Sequence, residues 1–104
     1  MNNVYFVKVK NVPYIADYMG EQPRYEHEDL CEIIIAQTPG KSKSMFWTKY
    51  NKEYIEYRDI HILKIASRSE EDPKIVLKDH PLFNIFWEMV DEKINKMKMC
   101  RYIR

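Results

Sequence analysis

Apolar positions recur along the chain with two different periods. From Val4 to Val12, Tyr5, Val7 and Val9 share one parity, and Val4, Phe6, Lys8 and Lys10 share the other. That alternation predicts a strand whose second face opens to water towards its end. Asn11-Val12-Pro13 is expected to stop it, because proline cannot donate to a ladder. Pro13, Tyr14, Ile15, Tyr18 and Met19 fit a short helical turn with Gly20 just beyond its end. A second extended segment fits nearly as well. Gly20 to Asp29 reads as a loop. Leu30 to Gln37 contains three consecutive isoleucines, the pattern of a strand buried on both faces. Thr38-Pro39-Gly40-Lys41 predicts a type II turn, with proline presetting φ and glycine supplying positive φ. The chain then re-enters the sheet at Ser44, antiparallel to the preceding strand.

The run from Ser44 to Ser67 holds Phe46, Trp47, Tyr50, Tyr54 and Tyr57, followed by Ile60, Ile62, Leu63 and Ile65. Aromatic and β-branched residues at this density suit a pleated, half-buried surface. They predict a hairpin turning near Asn51-Lys52, with its second strand at the centre of the sheet. The apolar parity slips between Tyr57 and Ile60 and again before Leu63, which calls for a bulge near Arg58-Asp59 or for cover on both faces. A helix over 53–66, with Ile55, Ile62, Leu63 and Ala66 as its stripe, is the competing reading; the β-branched content favours strand. Arg68 to Lys74 is a charged linker, and Ile75-Val76-Leu77 is a short edge strand or a lead into the next element. Pro81 to about Cys100 repeats Leu82, Ile85, Phe86, Met89, Val90, Ile94 and Met97 at spacings of three and four, the signature of an amphipathic helix. Asp79 or His80 stands at its cap, Pro81 at its first position, and Lys93, Lys96, Lys98 and Arg101 near the negative end of its dipole. The fold expected is α+β, a mainly antiparallel sheet or small barrel of four to five strands with one C-terminal amphipathic helix.

Size adds that 1–104 is one domain, long enough to bury a core without metal or disulfide. With 45% apolar and 32% charged residues, the composition is that of a folded chain. The start of the chain lacks a basic region followed by an apolar core, and no stretch is long enough for a membrane span, so the expected location is cytoplasmic. Cys31 and Cys100 are then reduced thiols, read as small buried hydrophobes. Abundant Lys, Ile, Asn, Tyr and Met against two glycines match the usage of AT-rich genomes, many phages and low-GC bacteria among them.

Catalytic chemistry finds little support. His27, Glu28, Asp29 and Cys31, with His61, His80 or Cys100, have ligand chemistry but not the paired spacing of a structural metal site, and a solvated loop explains them better. Asp59 and His61 share one face of a regular strand, yet a histidine between Ile60 and Ile62 is more often a satisfied sheet residue. Asp79-His80-Pro81 is explained by capping. Gly20 and Gly40 alone cannot build a phosphate loop. The sequence therefore reads as a non-enzyme that needs no cofactor.

Charge separates more clearly. The 17 basic and 16 acidic side chains nearly cancel, which excludes both a globally basic nucleic-acid coat and an acidic mimic. Locally, Asp17, Glu21, Glu26, Glu28, Asp29 and Glu32 make an acidic segment, while Lys41, Lys43, Lys49 and Lys52 surround the Pro-Gly turn. Solvated faces and dipole matching account for such clusters in most chains. Eight tyrosines and two tryptophans exceed what so small a core holds, so some are expected at the surface, where aromatics anchor interfaces or pair across strands. The favoured reading is a small binding protein of phage or mobile-element type that blocks or modulates a macromolecular partner, a protein first of all. Its expected contacts are Asp17, Glu21, Glu26, Glu28 and Asp29 with Trp47, Tyr50 and Tyr54. The alternatives are a nucleic-acid-binding module using a basic aromatic hairpin over 41–52, with Lys41, Lys43, Lys49 and Lys52 on phosphates, or a protein sequestering a small nucleotide. Oligomeric state is left open by the sequence.

Overall fold

A computed structural model of the chain describes residues 1–16, 24–51 and 55–102. Its elements in order are β1 (Asn2–Ala16), β2 (Arg24–Ala36), α1 (Pro39–Tyr50), a 3₁₀ turn (Tyr57–Asp59), β3 (His61–Ser69), β4 (Lys74–Val76) and α2 (Phe83–Tyr102). The strands form one four-stranded sheet in the order β3-β1-β2-β4, every neighbouring pair antiparallel. Among the described residues the sheet is open, not a barrel, and it carries two helices instead of one.

Parity along β1 and β2 explains where the helices go. Tyr5, Val7 and Val9 with Ile34 and Ala36 face one side, where they meet Phe46 of α1 and Ile55 and Ile60 of the following segment. Val4 and Phe6 with Ile33 and Ile35 face the other, where they meet Phe86 and Val90 of α2 with Ile65 and Val76. Each such buried side chain contributes about 1.5–3 kcal/mol over exposure. The triple isoleucine is thus buried from both sides, as its pattern predicts. The central strands are β1 and β2, while β3, cut from the aromatic run, lies at an edge.

The basic aromatic segment is a helix and not a hairpin. Thr38 accepts from the Lys41 N–H at 3.2 Å as N-cap, Pro39 opens the helix, and the Ser42 hydroxyl donates to the Pro39 carbonyl at 2.7 Å. Proline after a capping threonine starts a helix as readily as a turn, because its missing N–H is one the first turn leaves unpaired anyway. Ser42, Phe46 and Tyr50 follow at four-residue spacing on the sheet side. The aromatics of this run reach the sheet from a helix lying over it. The parity slip near Tyr57 has a similar origin: Tyr57–Asp59 is a 3₁₀ turn, and β3 begins only at His61. The bulges lie further on, one of them at Arg68 with φ of 61°.

β1 does not stop at Pro13. Its ladder with β2 continues to Ala16, and the loop expected before Asp29 is strand from Arg24. Between Val9 and Val12 β1 carries one residue more than β2, with Asn11 at φ of 57°. The extra residue flips the parity, so Val12 continues the buried stripe of Val7 and Val9. β3 covers β1 only as far as Lys8, so Pro13 lies where β1 is an edge strand and proline is tolerated. The short strand at Ile75-Val76 and the C-terminal helix agree with expectation, although the helix starts at Phe83, after His80 Nδ1 has accepted the Leu82 N–H at 3.1 Å. The short helical turn expected at 13–20 is extended through Ala16; its remainder lies outside the described residues.

Candidate functional site

β1 and β2 are much longer than their outer neighbours. β3 pairs with β1 from Asn2 to Lys8, and β4 pairs with β2 only from Ile33 to Ile35. Past those limits β1 and β2 continue together as a two-stranded ribbon, Val9–Ala16 against Arg24–Leu30. An isolated hairpin is marginally stable in water. Here Tyr14 donates to Glu26 Oε2 at 2.8 Å, and Asp29 Oδ1 accepts the Asn11 N–H at 3.1 Å. Asp29 also lies 3.5 Å from Lys8 Nζ. The Asn11 N–H first, and the Lys8 charge with it, hold the Asp29 carboxyl below its ordinary value. Asp29 is therefore the clamp of the bulge as well as part of the acidic segment.

A second set of contacts joins β2 to α1. Glu32 accepts from the Tyr50 hydroxyl in a short hydrogen bond and from Lys49 Nζ at 2.6 Å. Burial first, then the bond to Glu32, push the Tyr50 phenol well above its usual range. Glu26, Glu28 and Glu32 share the α1 face of β2 by parity. Cys31, on the opposite face, packs against the α2 cluster, and burial pushes its thiol up. It behaves as the small hydrophobe its sequence context implies. Cys100 lies where side chains are not described.

A groove of about 610 Å³ opens at the same place. Its floor is five successive residues of β2, Asp29 to Ile33, and its sides come from Lys49 and Tyr50 of α1 and from Phe83 and Trp87 of α2. Val76, Leu77 and Lys78 close it where the chain leaves β4. The two helices lie on opposite faces of the sheet, so a groove touching both must run around the outer edge of β2. Phe83 and Trp87 stack at 5.9 Å and 12°, and Leu77 is 62% exposed. Phe83, Trp87 and Leu77 escaped the sequence reading. The available signal was an aromatic pair four residues apart beside, and not within, the main stripe of α2.

The expected contact residues divide accordingly. Glu26, Glu28, Asp29 and Tyr50 come together along β2 and its groove. Trp47 turns away, half-buried against the core and edge-on to Tyr57 at 6.0 Å. Asp17, Glu21, Lys52 and Tyr54 lie outside the described residues. The lysines proposed for phosphates are dispersed: Lys43 sits 4.4 Å over the Tyr57 ring and Lys49 is held by Glu32. Lys41 and Lys49 are separated by roughly 12 Å along the helix. The metal and acid–base candidates are scattered too. His27 is on the ribbon, His61 begins β3 apart from Asp59 in the 3₁₀ turn, and His80 caps α2. Among the described residues no group of three His, Cys, Asp or Glu is placed to hold a metal ion, and no helix is long and apolar enough to cross a membrane. No protein-family model matches the chain, and neither a curated protein nor a solved structure matches it.

Proposed function

We propose that the protein is a non-catalytic, cytoplasmic binding protein that docks on a protein partner and blocks or modulates it. The observation that carries this reading is the β1–β2 ribbon, which extends beyond both neighbouring strands and exposes Arg24, His27, Glu28 and Asp29. Beyond Val12 and Leu30 no described side chain of the ribbon belongs to the core, and an external contact accounts for that length. Its carboxylates suit a basic surface on the partner, such as one that otherwise grips nucleic acid. The genome-type composition noted above fits a phage or mobile element, where small blocking proteins are common. The pairing of Lys49 with Glu32 and the dispersal of the other lysines weigh against a phosphate-binding face.

The test is capture of partners by the tagged full chain from bacterial lysate, with and without nuclease, compared with the Glu28→Lys variant. Glu26 and Asp29 are left intact because they hold Tyr14 and the bulge. The reading expects a stoichiometric protein that survives nuclease and whose binding falls by at least about ten-fold in the variant. Capture unchanged by the reversal, or recovery of nucleic acid alone, overturns it.

A further inference from the structure

The groove beside β2 has the construction of a strand-accepting edge. β4 occupies the outer side of β2 at Ile33–Ile35 only, so among the described residues the outward backbone N–H and C=O groups of His27–Glu32 have no ladder. An edge of this length is a template on which a further strand forms, the main chain supplying affinity and pockets for alternate side chains supplying selectivity. Both kinds of recognition are present. On the α2 face the edge is flanked by Cys31, Leu77 and the stacked Phe83 and Trp87, an apolar wall with Asp29 and Lys78 at its rim. On the α1 face stand Glu26, Glu28 and Glu32, three carboxylates against Arg24 and Lys49.

We infer that the outer edge of β2 over His27–Glu32 accepts an extended segment of a partner protein as an added strand, its alternate side chains apolar and basic. The apolar ones meet Leu77, Phe83 and Trp87, and the basic ones meet Glu28. A second copy of the chain fits poorly. Its own β2 edge would set carboxylates against carboxylates, and its free β1 edge carries Pro13, which cannot donate. Its β3 edge is broken by two register shifts, with Arg68 at φ of 61°, and has Lys93 on the Lys64 carbonyl. The inference rests on the partner-docking reading and specifies its mode.

The experiment uses a short synthetic peptide of alternating valine and lysine, titrated into the full chain and read by tryptophan fluorescence and by amide exchange of Glu28–Glu32. Two further versions carry backbone N-methyl groups on every lysine or on every valine, and a third replaces lysine by glutamate. In an added strand alternate N–H groups face β2, so one methylated version should lose at least about ten-fold in affinity while the other keeps most of it. The glutamate version and the Phe83→Ala variant should each bind more weakly, and amide exchange should slow at the β2 edge. No binding by the parent peptide overturns the inference, as does equal binding by both methylated versions. The two ideas fail separately. Peptide failure with charge-sensitive partner capture removes the strand mode alone, whereas charge-insensitive capture removes the docking reading whatever the peptides do.

Discussion

The same two strands live in two environments. Between Val4 and Lys8 on β1, and from Ile33 to Ile35 on β2, the backbone has neighbours on both sides and a helix over each face, and the side chains there are buried apart from Lys8. Past those points the strands have only each other, Ile15 is 62% exposed, and His27, Glu28 and Asp29 face water. The first region is held by burial. The second is held by a few polar contacts, Tyr14 to Glu26 and Asn11 to Asp29, and by Val12 reaching back to the core. Burial and exposure are thus divided along single strands.

That division can be broken most forcefully from the sheet. Phe46→Ala, which empties the centre of the α1 face, should cost about 3–5 kcal/mol in urea unfolding, while Ile15→Ala on the ribbon should stay within about 0.5 kcal/mol. A comparable loss from Ile15→Ala would show that the ribbon belongs to the core. Next in size is Asn11→Val, which forces a β-branched residue into the left-handed region and should cost about 1–2 kcal/mol; Asn11→Gly should be tolerated. Tyr50→Phe removes the link between α1 and β2 and should cost about 0.5–1.5 kcal/mol.

The tyrosine also gives a pH signature. Because its folded pKa is raised, the stabilisation it confers is complete below the unfolded value near 10 and is lost as pH rises above it. Alkaline melts should therefore fall more steeply for the parent chain than for Tyr50→Phe. The smallest effect should come from Asp29→Ala, which leaves the unfolding midpoint nearly unchanged but speeds amide exchange at Val12–Ile15. Asp29 is depressed in the folded chain, so its contribution is present above the ordinary carboxylate pKa and fades as pH falls through the folded value. The ribbon should exchange faster at acid pH before the sheet does, and equal acceleration of both would argue that they are one cooperative unit.

The sequence was readable where burial imposes a simple period. The Ile33–Ile35 run, the alternation of Tyr5, Val7 and Val9, and the stripe of Phe86 and Val90 in α2 all translate directly into faces of the fold. It was misleading where one residue type serves two geometries. Thr38-Pro39-Gly40 opens a helix as well as a turn, and Phe46, Trp47 and Tyr50 pack on a sheet from above as well as from within. Pro13 looked like a stop because its tolerance depends on β3 having already ended at Lys8, a non-local fact. The candidate site was half legible for the same reason. The acidic residues are written close together, whereas Phe83 and Trp87 reach the β2 edge only through the course of the chain over the sheet.

Pro13 has a wider consequence for how copies of this molecule meet. With one strand edge free on β1 and another on β2, each protein could in principle hand its β2 edge to the β1 edge of the next, a head-to-tail contact that closes on nothing and grows into fibres. The proline removes a donor from the first edge, and the bulge at Asn11 interrupts its register. The β1 edge is thereby a poor acceptor for the β2 edge of a neighbouring copy, which closes one route to self-association.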